Sequence, residues 1–198
     1  MLLDSVGYSQ VAAIGRSPSD VHHPKLSHQV IDFDRLAESE LPSANDFYCS
    51  LGAKLWSRTP MFEKVDLAYP VELAKRALEA GAKTCVVVTS VAADPRSSLP
   101  YLRMKAETEE RIRALGFERC YFVRPSFVVG TPAEGALLWA AGGLASLASP
   151  ALVGHRRIYR PIRARVLAAG MVGAGLHGDP GTHVLHGDEL QALAAQLR

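Results

Sequence analysis

Residues 84–130 read TCVVVTSVAADPRSSLPYLRMKAETEERIRALGFERCYFVRPSFVVG, and this stretch decides the fold. Residues 85–88 are a continuous apolar run rich in valine, the pattern of a parallel strand covered on both faces. Ser90 stands where that strand ends. Pro100 precedes Tyr101, and residues 101–115 are rich in strong helix formers, with Gly116 to stop them. A second apolar run at 120–123 ends in Arg124-Pro125. Strand, loop, helix, strand in this order predicts a parallel α/β sheet. Ligands of such sheets gather where strands end and helices begin, so Ser90, Tyr101 and Arg124-Pro125 are expected around one crevice.

Tyr101 and Lys105 are four residues apart and share one helix face. An ammonium one turn from a phenol favours the phenolate and so prepares a proton donor for neutral pH. A hydroxyl at Ser90 could hold a substrate carbonyl beside that phenol. Taken alone, Tyr-x-x-x-Lys is a weak signal, since a surface helix can carry the two residues by accident. Its position gives it weight, because the pair opens a helix directly after a strand that ends in serine.

The set Ser90, Tyr101-x-x-x-Lys105, the strand VVVTS and the later RPSFVVG resembles the atypical short-chain dehydrogenase/reductases. These are NAD(P)-binding Rossmann proteins, and the Tat-interacting oxidoreductase group with its bacterial relatives is the nearest branch. The resemblance also takes in residues 10–16, 30–34, 48–52, 65–80 and 159–162, nearly the whole chain. It implies one doubly wound, three-layer αβα domain over residues 1–198, with 131–165 as a segment facing substrate or partner. It implies hydride transfer to or from a small carbonyl or alcohol substrate, with NADP as cofactor and NAD as the other candidate. Tyr101 would donate the proton, Lys105 would hold the nicotinamide ribose, and Ser90 would orient the substrate. Arg16 would meet the 2′-phosphate, Asp32 the adenine end, Ser50-Leu51-Gly52 the ribose, and Pro125-Ser126 the nicotinamide. For several of these the residues alone allow plainer roles: Arg16 as a solvated side chain, Asp32 in turn chemistry with Asp34 as the better helix cap, and Gly52 as a turn glycine.

One family element does not occur. No G-x-x-G-x-x-G or G-x-G-x-x-G follows an early strand, although such a turn brings the backbone to the pyrophosphate at a helix N-terminus. Residues 1–7 read as the last turn of a helix and 10–14 as the family's second strand, so the first strand and its glycine turn are expected to be missing. An internal Met as the first residue is the expectation, with a shortened homologue as the other reading. Without its central strand, the sheet would leave two strands lacking their common neighbour. The resemblance also allows an alternative function, a Rossmann scaffold of little or no activity that works through protein contacts, with residues 135–154 as its surface.

Elsewhere the sequence bounds the answer. The 198 residues carry a formal charge of +2, which makes no case for nucleic acid. Cys49, Cys85 and Cys120 fall in or beside apolar strands without metal-ligand spacing, which reads as small buried thiols in a reducing compartment. His22-His23 has no supporting ligand, so no metal is expected. No signal-peptide pattern opens the chain, and a cytoplasmic protein is the default. Residues 135–154 are uncharged and rich in Ala, Gly and Leu. Pro150 and Gly142-Gly143 argue against a membrane span and for a cleft helix or an oligomer or partner contact, with Trp139 as an anchor or plain core. Five arginines follow in 155–165, where Arg160-Pro161-Ile162 is expected to be a turn into a helix.

Overall fold

The computed structural model describes residues 1–52, 63–130 and 152–197. Its centre is a four-stranded parallel sheet in the order β3-β4-β5-β8: Asp46–Cys49, Thr84–Val88, Arg119–Val123 and Gly181–Leu185. Its neighbour is a parallel pair, β1 (Val11–Gly15) with β2 (Leu26–Val30), and β6 (Val128–Val129) pairs with β7 (Ile162–Arg163). Helix α1 (Tyr69–Glu79) precedes β4, α2 (Pro100–Arg113) links β4 to β5, and α3 (Ala164–His177) and α4 (Gly187–Ala195) flank β8. The architecture is a Rossmann-like α/β fold.

Side-chain alternation builds the layers. Cys85 and Val87 of β4 point with Cys120 and Phe122 of β5 to one face, where Ala74 of α1 and Ile112 of α2 cover them. Val86, Tyr121 and Val123 point to the other face, against Met171 and Ala174 of α3 and Leu190 of α4. A two-residue period thus fills two cores from one apolar run, which is why such strands show no polar alternation. Helices α3 and α4 lie backbone to backbone, since a Cβ on Gly170 would stand 2.6 Å from the Leu190 carbonyl oxygen.

The sheet is interrupted between β1 and β3. Each has a ladder partner on one side only among the described strands. In the Rossmann order the first strand belongs between these two, and no described strand lies there. Side chains join the halves instead. Ile14 of β1 and Phe47 of β3 pack on a cluster of Ile31, Phe33, Leu36 and Leu73. The Tyr8 hydroxyl donates to Asp46 Oδ2 at 2.7 Å and lies 2.5 Å from the Tyr48 hydroxyl.

Several local expectations change. Residues 1–7 form turns, with one helical i→i−4 bond from the Ser5 N–H to the Met1 carbonyl at 3.1 Å but no helix over them. Asp32, not Asp34, caps the short 3-10 helix Phe33–Glu38, because its carboxylate accepts the Asp34 N–H at 2.9 Å. Asp34 instead takes Lys64 and the Tyr69 hydroxyl, each at 2.6 Å. The helix expected over 65–80 enters as a π-helical turn, Glu63–Ala68, and becomes α-helical at Tyr69, one residue before Pro70. Arg160-Pro161-Ile162 does lead into a helix: Ile162 N–H bonds the Phe127 carbonyl at 2.9 Å and α3 follows. Residues 135–151 of the apolar segment, Trp139 among them, and with them most of 131–165, lie outside the described residues.

Candidate functional site

The C-terminal tips of β3, β4, β5 and β8 share one edge, and backbone bonds knit their loops together. Thr89 N–H donates to the Val123 carbonyl, Val91 N–H to Pro125, and Arg124 N–H to Leu185, at 2.7, 3.0 and 2.9 Å. Ser90 begins the loop after β4, half-buried, with its hydroxyl donating to the Val91 carbonyl at 3.2 Å. Its backbone closes a turn onto Ala93, and Ala92 in that turn has φ +60°. A left-handed alanine is strained, and such residues collect at functional loops.

Pro100 sets the first turn of α2, where a missing N–H costs nothing. Tyr101 follows, partly exposed, and Lys105 Nζ lies 5.8 Å from the centroid of its ring. The four-residue spacing thus brings phenol and ammonium together. Lys105 does not point into an open hollow, however. Its side chain is 4% exposed and its ammonium stands 2.7 Å from Asp66 Oδ1, itself 1% exposed. The physical reason is direct: an ammonium removed from water needs a counter-charge, and the π-helical turn supplies it.

That ion pair continues a larger polar face. Thr108 donates to the Asp66 carbonyl at 2.7 Å. Glu109, one turn beyond Lys105, accepts from Thr89 Oγ1 at 2.7 Å and from Arg124 Nε and its terminal nitrogen at 2.8 and 2.6 Å. The Glu109 contact holds the Arg124 guanidinium above its usual pKa. Residues 105, 108 and 109 therefore fix α2 to the strand tips by hydrogen bonds to β4 and β5 and to the π-helical turn.

The residues expected to hold a dinucleotide divide into two groups. Ser50, Leu51 and Gly52 follow β3 at the same edge as Ser90; Ser50 and Gly52 are exposed, and Leu51 packs into the core. A Cβ on Gly52 would come within 3.6 Å of Asp66 Oδ1, so the ion pair lies against this strand tip. Pro125 is buried and Ser126 donates its hydroxyl to the Arg160 carbonyl, which turns that side chain toward the β6–β7 connection. Arg16 and Asp32 lie with β1 and β2 across the interruption, both exposed, Asp32 with its carboxylate in the cap. Ser50 and Gly52 are exposed, Ser90 is half-buried and Tyr101 is partly exposed at this edge. A glycine-rich pyrophosphate turn does not occur in the sequence.

Asp66, Thr89 and Glu109 were not singled out from sequence. Glu109 had a signal: it sits four residues after Lys105 on the same face, and a charge on a buried face requires a partner. No group of His, Cys, Asp and Glu able to hold a metal occurs among the described residues. The three cysteines are free and buried. No described helix is long and apolar enough to cross a membrane.

No family model matches the chain. Curated relatives are named fmp52, mitochondrial: the Emericella nidulans protein is 41% identical over 91 residues, 43% of this chain and 39% of its own. The fmp52-1 protein of Aspergillus oryzae is 36% identical over 118 residues, 57% of this chain and 48% of its own. The Kluyveromyces lactis FMP52 is 46% identical over 67 residues, 34% of this chain and 30% of its own. The match thus spans less than half of each relative, and their mitochondrial naming overturns the cytoplasmic expectation. Among solved structures, a protein described as an NAD-dependent epimerase/dehydratase from Bacillus halodurans superposes with a TM-score of 0.65. It is 15% identical over 95% of this chain and 88% of its own. MoeE5 in complex with UDP-glucose and NAD gives 0.62 at 17% identity, over 95% of this chain and 73% of its own. Uronate dehydrogenase from Agrobacterium tumefaciens gives 0.64 at 11% identity, over 89% and 66%. At these identities the likeness establishes the fold, and the fold is one in which NAD-bound proteins occur.

Proposed function

We propose that this chain carries the reaction edge of a nicotinamide-dependent oxidoreductase of the atypical short-chain dehydrogenase type. The observation that carries the reading is the Tyr101 ring with the Lys105 ammonium 5.8 Å from its centroid, at the edge where the strands end. The dinucleotide, NADP or NAD, supplies or accepts the hydride when bound. Tyr101 donates a proton to the carbonyl oxygen of a small substrate, or takes it back from the alcohol. Ser90 turns its hydroxyl from the Val91 carbonyl to hold that oxygen. Lys105, restrained by Asp66, presents its remaining N–H groups to the nicotinamide ribose. Ser50-Leu51-Gly52 lies along the ribose, Pro125-Ser126 borders the nicotinamide, and Arg16 and Asp32 face the adenosine end. One domain over the whole chain supports this site, with 131–165 facing substrate, a partner or a second copy. Relatives named as mitochondrial support a mitochondrial setting.

The interrupted sheet favours a second reading, a Rossmann scaffold with little turnover that acts through protein contacts. The two differ in one variant. Tyr101→Phe leaves dinucleotide affinity intact under the enzyme reading and lowers turnover across a carbonyl panel about a hundredfold or more. Dinucleotide binding by the parent with no turnover on any carbonyl or alcohol supports the scaffold and removes the enzyme.

A further inference from the structure

We propose that Asp66 is the positioning residue of this site, the group that fixes where the Lys105 ammonium stands. The assignment rests on the reading just given for Lys105. Three observations carry it. Asp66 Oδ1 is 2.7 Å from Lys105 Nζ, with both side chains almost wholly out of water. Asp66 is held from a second side, since its carbonyl accepts the Thr108 hydroxyl at 2.7 Å, one turn along the helix that carries Lys105. Its carboxylate also lies against Gly52, where any larger residue would bring a side chain within van der Waals reach of it.

A lysine stem has four rotatable bonds, and nothing in α2 alone selects one direction for its ammonium. A carboxylate fixed on another element does select one. The π-helical turn matters here, because it is Glu63–Ala68 that carries Asp66 to the α2 face and to the β3 tip together. π-helical turns occur often at functional sites. Held there by Asp66, the ammonium stays 5.8 Å from the Tyr101 ring centroid, the placement that the reading of Lys105 requires.

The test separates fold, position and function. Three variants of the full chain are compared with the parent: Asp66→Asn, Asp66→Glu, and the double variant Asp66→Leu/Lys105→Met. Thermal melts report folding, NADPH and NADH titrations report affinity, and acylation of Lys105 by an N-hydroxysuccinimide ester, mapped by mass spectrometry, reports where the amine stands. The expected result is a lower melting temperature for Asp66→Asn and a much smaller loss for the double variant, in which no charge is left buried alone. Dinucleotide affinity falls about tenfold or more in both Asp66→Asn and the double variant, as misplacement of a positioning group does, and Asp66→Glu restores part of it. Lys105 resists acylation in the parent and reacts in Asp66→Asn. Folded Asp66→Asn with parental affinity and parental acylation overturns the assignment. If the parent binds neither dinucleotide, the oxidoreductase reading fails by itself. Acylation of Lys105 then still decides, since equal protection in parent and Asp66→Asn shows that Asp66 does not place the amine.

Discussion

At the scale of single residues, the sequence was most informative where spacing alone determines geometry. Tyr101 and Lys105 had to share a face if residues 100–113 formed a helix, and they do. What spacing could not give was the direction of the ammonium, because Asp66 comes from a turn 39 positions earlier in the chain and its approach is a tertiary event. The caps show the same limit. Asp32 and Asp34 are both plausible caps by composition, and only the extended backbone at Asp32 selects it. Ala92 was invisible for another reason, since an alanine carries no mark of a positive φ. Its +60° costs roughly 1 kcal/mol relative to glycine. Ala92→Gly is accordingly expected to raise the midpoint of chemical denaturation by an amount worth about 1 kcal/mol. A lowered midpoint would mean that the turn is not strained.

At the scale of elements, helix α2 does more than place two side chains. Its inward face carries Lys105, Thr108 and Glu109 ahead of Ile112, so a polar network rather than hydrocarbon anchors its middle. Glu109 is the centre of that network, with Thr89 and both Arg124 nitrogens on one carboxylate. Glu109→Gln keeps the shape and removes the charge, leaving a mostly buried guanidinium without its counter-ion. The expected cost is about 3 kcal/mol in equilibrium unfolding, the lower end for a broken buried pair because Arg124 retains some solvent. A cost near zero would show that water replaces the carboxylate. Strand β4 was legible because a valine run ending near Ser90 admits few other structures, and β5 because its apolar run stops at Arg124-Pro125. The opening turns were not, because seven residues make at most two helical turns and fit a helix end and a loop equally well.

At the scale of the whole molecule, the absence of a glycine turn in the sequence and the interruption between β1 and β3 describe one feature from two directions. The halves are joined by Ile14, Phe47 and the Tyr8 hydroxyl rather than by a ladder. Alternate amides on the facing edges of β1 and β3 should therefore exchange with deuterium much faster than those of β4 and β5. Protection equal to that of the central strands would show that the edges are paired.

The thiols give a pH signature of the intact core. Burial pushes Cys49 up to about 11 from an ordinary 9.0, and burial also raises Cys85 well above its ordinary value. Native Cys49 and Cys85 should then be inert to maleimide at neutral pH and react only on unfolding. The sign of the linkage follows from the raised value. Between about pH 9 and pH 11 the unfolded chain has lost the proton that the folded chain keeps, so the stability these thiols lend is complete below that window and falls as pH rises through it. A parent midpoint that rises across the window relative to that of Cys49→Ala would contradict that sign.

The account as a whole rests on the Tyr101–Lys105 pair facing a nicotinamide dinucleotide, and amide chemical shifts recorded during titration of the full chain with NADPH and then NADH test this directly. Saturable shifts concentrated at residues 50–52, 90–93 and 101–105 are the predicted result. Shifts that never saturate, or that gather on α3 and α4 away from the strand tips, would contradict it.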